Sequence, residues 1–143
     1  MKHVAVGILM RDGHVLACQR KRDARYPLKW EFPGGKLEPE ETAQQALIRE
    51  LYEELFIEPV SYDQFYIQDW VYAEGVKDPG KEGAFRVTYY IIHTFKGEPV
   101  NNAFEKIDWV TPSRLLTMDI LEGNRSAVRL LVDRVGKRDA AND

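Results

Sequence analysis

From Gly35 to Ile57 the chain reads GKLEPEETAQQALIRELYEELFI, a glycine-led segment whose apolar residues and glutamates separate onto opposite faces of a helix. Ala43, Ala46, Leu47, Leu51 and Leu55 recur at helical spacing and predict a helix from about Thr42 to Phe56. Glu50, Glu53 and Glu54 stand at i, i+3 and i+4 and share the other face. Like charges so placed destabilise a helix by about 0.2–0.5 kcal/mol per pair. Taken alone, three such glutamates read as a solvated acidic face. The alternative is a set of hard oxygen ligands for a divalent cation beside a phosphate. Pro33-Gly34-Gly35, just ahead, favours the second reading, because glycines let backbone come close to a ligand.

A helix with one apolar stripe needs a partner layer, and the flanking sequence supplies strands. His3–Met10 and His14–Gln19 are β-rich runs joined at Arg11-Asp12-Gly13, where Asp-Gly signals a hairpin. Leu28–Phe32 reads as a short strand entering the glycine loop. Val60–Ala73 and Phe85–Phe95 read as strands separated by a Gly, Pro and charge-rich loop over Glu74–Gly83. Ile107–Val110 is a further strand, and Thr111-Pro112-Ser113 starts a small helix. A last helix is expected from about Asn124 to Val135, followed by a polar tail over Gly136–Asp143. With no internal repeat and no linker, residues 1–135 read as one domain of mixed α and β structure.

Composition excludes several functions. The 143 residues carry a net charge of −3 with scattered basic residues, which argues against binding long nucleic acid, whose affinity comes from neutralising many phosphates. Arg20-Lys21-Arg22, with Arg25 and Lys29, suffices for a single nucleotide, or equally for a solvated loop. No apolar run approaches the roughly 20 residues of a membrane-spanning helix, and the N-terminus has no signal-peptide pattern. The single cysteine, Cys18, lies in the apolar run VLAC, which points to packing and to a reducing, cytoplasmic setting. His3, His14 and His93 have no metal-ligand spacing and read as strand or turn residues. No Ser or Cys sits in a nucleophile elbow.

Gly35, five residues, Glu41, seven residues, then Arg49-Glu50-Leu51-Tyr52-Glu53-Glu54-Leu55-Phe56-Ile57 resembles the Nudix box, G-x5-E-x7-R-E-U-x-E-E-x-G-U with U aliphatic. Eight of nine defined positions agree; Phe56 replaces the glycine that usually ends the helix. The replacement predicts a helix one residue longer, running toward Pro59. Trp30-Glu31-Phe32-Pro33-Gly34-Gly35-Lys36 is similar to the loop of the MutT-type nucleoside triphosphate pyrophosphohydrolases.

The resemblance implies the Nudix fold, a mixed β-sheet between helices, and metal-dependent hydrolysis of a nucleoside triphosphate with Mg²⁺ or Mn²⁺. It implies that Glu50, Glu54 and the Gly35 carbonyl bind metal, and that Glu53 binds a further metal or orients the attacking water. Glu53 is also the best candidate base, because a helix holds it rigidly. Arg49 would hold Glu41 and its neighbours by bidentate hydrogen bonds. The family's outer glutamate falls at Ala103, leaving Glu105, two residues on, as a stand-in or as a surface residue.

For substrate, the resemblance assigns Arg20 to phosphate, Phe32 to the base pocket and Asn124 to the purine edge, with 8-oxo-dGTP the expected nucleotide. Phe32 equally fits a core residue and Asn124 an N-cap. CTP, dihydroneopterin triphosphate, ADP-ribose and dinucleotide polyphosphates use the same scaffold, as do sensors without catalysis. The expected partner is a small nucleotide, bound by a monomer or homodimer.

Overall fold

The computed structural model describes residues 1–72 and 83–142, the last five as backbone only. Ala73 and residues 74–82 of the expected loop lie outside the described residues. Seven strands form one mixed sheet among the described residues: β1 (Lys2–Arg11), β2 (His14–Gln19), β3 (Trp30–Glu31), β4 (Gly34–Lys36), β5 (Glu58–Val71), β6 (Ala84–Lys96) and β7 (Lys106–Val110). The order is β3-β2-β1-β6-β5, with β4 also on β1 and β7 on β2. Only β1 and β6 run parallel, from Lys2↔Phe85 to Leu9↔Ile92. Asp12 and Gly13 take φ of 52° and 74°, the pair of positive values that a two-residue hairpin turn requires.

β1 is central, so side chains on both its faces are buried. Ala5 and Leu9 point to one layer with Leu16, Cys18, Tyr90 and Ile92. That layer is closed by helix α1 (Ala43–Leu55) through Ala46, Leu47, Leu51 and Leu55, all fully buried. Each such leucine contributes about 1.5–3 kcal/mol through burial. Val6 and Ile8 point the other way, into a core with Tyr89, Ile91 and Val110. There the cover is α2 (Pro112–Leu115), a 3₁₀ turn (Glu122–Asn124) and α3 (Arg125–Asn142). The expected mixed sheet between helices is the observed architecture.

Thr42 caps α1. Its Oγ1 accepts from the Gln45 N–H at 3.1 Å while the Gln45 side chain accepts the Thr42 N–H at 2.9 Å. At the other end the expected longer helix does not form. Phe56 adopts the left-handed conformation itself, φ 58° and ψ 35°, and its N–H donates to the Tyr52 carbonyl. The last carbonyls of α1 are taken by the loop between β6 and β7: Val100 N–H donates to Leu55 O, Asn102 N–H to Glu54 O and Asn102 Nδ2 to Glu53 O. With these partners supplied, the helix stops where a glycine would have stopped it, despite a Cβ.

Three further expectations need correction. The strand drawn from Leu28 begins at Trp30, because Leu28 has φ 61° and its N–H turns back to Arg20 O. The last helix starts at Arg125, with Asn124 in the turn before it. It continues to Asn142, so the segment from Gly136 expected as a tail is helical backbone.

Candidate active site

Packing of α1 on β1 and β4 brings its polar face against the Gly34–Gly35 strand. A Cβ on Gly34 would strike the Ala5 carbonyl, and one on Gly35 would strike the Glu50 carboxyl group. The backbone contact requires glycine at position 34, whereas at position 35 a Cβ would displace the Glu50 carboxyl group. Glu54 reaches the same segment, where its Oε1 accepts the Gly34 N–H at 2.8 Å. Two carboxylates thus converge on two residues of backbone.

Arg49 organises the rest. Its Nε and Nη2 donate to the two oxygens of Glu41 at 2.8 and 2.9 Å, a bidentate pair, while Nη1 donates to Glu50 at 2.9 Å and Glu53 at 3.3 Å. Nη2 also donates to the Lys36 carbonyl, tying α1 to β4. These bonds, with that from the Glu38 N–H, hold the Glu41 carboxyl down at about 2. Arg49 stays charged throughout, its pKa raised first by the Glu41 hydrogen bonds. Glu54 is the opposite case. Burial, and then the negative charge of Glu50, push it up to about 8 against a usual 4.5, more than the Gly34 hydrogen bond can offset.

A cavity of about 390 Å³ opens from Glu54, Gly34 and Gly35. Arg20, Phe32 and Asn124 line it as well, so the structure brings the three expected substrate contacts and two expected metal ligands, Glu54 and Gly35, to one space. Arg20 is already engaged: Nη1 donates to Glu31 at 3.0 Å and Nε to the Arg25 carbonyl at 2.7 Å. Phe32, 5% exposed, both borders the cavity and meets Tyr89 edge-on in the core. Asn124 makes no capping bond; its Nδ2 donates to the Tyr89 hydroxyl at 2.8 Å. Glu41, Arg49, Glu50 and Glu53 do not line the cavity, and the Glu53 side chain is 56% exposed.

Glu105 stands apart. Its N–H donates to Gln19 O, its carboxylate is 3.9 Å from Arg22, and it does not border the cavity. Ala103 packs on the α1 side of the core. Sequence reasoning missed Glu31, a partly buried carboxylate paired to Arg20 whose pKa is raised by desolvation. A lone acid between Trp30 and Phe32, just before the glycine loop, was the available signal. It also missed the aromatic wall of Tyr26, Trp70, Tyr72 and Phe85.

Among the described residues no three acidic or imidazole side chains converge closely enough to enclose a cation, since Glu50 turns to Arg49 and Glu54 to Gly34. The donor set nevertheless fits a hard divalent ion. Glu50 lies against Gly35 and Glu54 against Gly34, these carboxylates and the Gly35 carbonyl are all oxygen donors, and Glu54 lacks the positive charge that would keep it ionised at neutral pH.

The NUDIX domain model matches residues 1–131. The chain belongs to the Nudix family. It is 32% identical over 123 residues to the putative 8-oxo-dGTP diphosphatase 2 of Mycobacterium tuberculosis, covering 85% of this chain and 82% of that protein. Over 58 residues it is 50% identical to the CTP pyrophosphohydrolase of Escherichia coli, a match spanning 41% of this chain and 43% of that protein. The solution structure of the E. coli ORF135 protein superposes with a TM-score of 0.82 at 25% identity, over 96% of this chain and 93% of that one. This Nudix hydrolase has no helix, among its described residues, long and apolar enough to cross a membrane.

Proposed function

We propose that this Nudix hydrolase cleaves a nucleoside triphosphate to the monophosphate and pyrophosphate, with an oxidised purine such as 8-oxo-dGTP as preferred substrate. The observation that carries the reading is that one cavity is lined both by Glu54 and the Gly34–Gly35 backbone and by Phe32 and Asn124, so that phosphate-side and base-side contacts share one space.

In this reading Glu50, Glu54 and the Gly35 carbonyl hold Mg²⁺ or Mn²⁺, with Glu53 beside them. The cation, when bound, offsets the charge of the triphosphate and acidifies water. Arg49 and Glu41 act through geometry: the bidentate pair keeps Arg49 against Glu50 and Glu53, so both carboxylates approach the phosphates in a fixed orientation. Glu53, on rigid helix and open to solvent, accepts the proton of the attacking water. Arg20 faces the phosphates, Phe32 packs on the base and Asn124 hydrogen-bonds its edge. Residues 1–135 act as one domain, as monomer or homodimer. The buried, unpaired Cys18 suits the cytoplasm.

Similarity to a CTP pyrophosphohydrolase supports a second reading, with a cytosine base in the same cavity. Values of kcat/KM for 8-oxo-dGTP, dGTP and CTP decide between them. A preference for 8-oxo-dGTP of tenfold or more is expected; a preference for CTP overturns the purine assignment.

A further inference from the structure

The orientation of the Asn124 amide follows from its neighbours. Tyr89 is fully buried, stacked on Tyr66 with centroids 6.0 Å apart, and its hydroxyl has one proton to give. That proton goes to the Gly123 carbonyl at 3.4 Å, so the lone pairs of the same oxygen receive the Asn124 Nδ2 proton at 2.8 Å. Gly123 cannot swing away, because its N–H donates to the Tyr72 hydroxyl at 2.9 Å. A Cβ on Gly123 would collide with that hydroxyl, so the contact is close as well as bonded. Nδ2 being held by Tyr89, Oδ1 is left as the free acceptor of Asn124: no described residue donates to it, and Asn124 borders the cavity.

We propose that Tyr89 is a positioning residue that sets base specificity: its hydroxyl locks the Asn124 amide so that Oδ1 is presented to the nucleobase. This rests on the reading that the cavity holds the base. An edge carrying an N–H is matched by Oδ1, whether that N–H is at the 7-position of an oxidised guanine or on an exocyclic amine. The corresponding edge of unmodified guanine shows only acceptors, N7 and O6, and is repelled. Once the tyrosine hydroxyl is removed, the amide is free to turn and offer either end, and discrimination falls while catalysis continues.

The test is Tyr89→Phe, assayed for kcat/KM on 8-oxo-dGTP, dGTP, CTP and UTP, with Tm measured alongside. The expected result is a fall of about fivefold or more in the ratio of 8-oxo-dGTP to dGTP, through KM and with kcat little changed. In an Asn124→Ala background the same substitution should leave the ratio alone. An unchanged ratio, or an equal loss on all four nucleotides together with lowered Tm, overturns the proposal. Should the parent prefer CTP, the purine reading fails by itself. The proposal is then judged on CTP against UTP, because N4 of cytosine donates where O4 of uracil accepts. If Tyr89→Phe does not fold, Asn124→Asp reports on the same polarity. Its carboxylate takes the Tyr89 proton and still offers an acceptor, so the preference must persist; its loss overturns the proposal.

Discussion

Replacing Glu54 by Gln should stabilise the metal-free protein at alkaline pH while abolishing hydrolysis. The carboxyl titrates at about 8 in the folded chain against 4.5 ordinarily, because burial and Glu50 both penalise its charge. A group with a raised folded pKa contributes stability that is complete below pH 4.5 and is lost as pH climbs through about 8. At about 1.4 kcal/mol per pH unit the full swing is on the order of 5 kcal/mol. Water entry and local relaxation reduce it, and about 2 kcal/mol, near 6 °C in Tm, is a realistic remainder. Gln offers an amide oxygen in place of the carboxyl oxygen that accepts the Gly34 N–H, so that hydrogen bond is kept. Thermal melts in chelator from pH 5 to 8 should show a falling Tm for the parent and a flatter curve for Glu54→Gln. Adding Mg²⁺ at pH 8 should restore the parent and leave the variant unmoved. Identical slopes for both proteins would refute the reasoning, as would turnover by Glu54→Gln within tenfold of the parent.

Phe56→Gly should raise stability by about 1 kcal/mol, since the left-handed conformation costs a Cβ-bearing residue roughly that much. The ring gives up only a half-exposed edge contact with Tyr52, and urea denaturation with unchanged kcat checks both statements. Glu41 behaves oppositely to Glu54. Its carboxyl is held at about 2, so it stabilises the protein above pH 4.5 and that contribution disappears as pH falls toward 2. Glu41→Gln should therefore flatten the acid limb of the Tm profile, and it should lower kcat by freeing Arg49; an acid limb unchanged from the parent would contradict this.

Helix α1 was legible almost to the residue from the apolar spacing on one face, and the Thr42–Gln45 capping box that fixes its start is a local signal that reading did not use. The hairpin at Asp12-Gly13 was legible for the same local reason. What escaped depends on distant partners. Pairing of β1 with β6 joins residues more than eighty positions apart and leaves no local pattern. Phe56 ends the helix in a conformation its own propensity disfavours, because the loop around Val100–Asn102 supplies the hydrogen bonds. Gly136 and its polar neighbours read as a tail, yet the backbone continues α3 through them. In the candidate site, the shared face of Glu50, Glu53 and Glu54 was legible from spacing, and the place of Arg49 came from the resemblance to the Nudix box. Glu31 and the wall of Tyr26, Trp70, Tyr72 and Phe85 were not, since only the folded sheet gathers them.

The bond that is cleaved shows in the products. The enzyme is incubated with 8-oxo-dGTP, and monophosphate, pyrophosphate and inorganic phosphate are quantified with Mg²⁺ and with excess chelator. The expected products are one pyrophosphate per monophosphate and no inorganic phosphate, with no turnover in chelator. Release of inorganic phosphate with a nucleoside diphosphate, or undiminished turnover in chelator, would contradict this expectation.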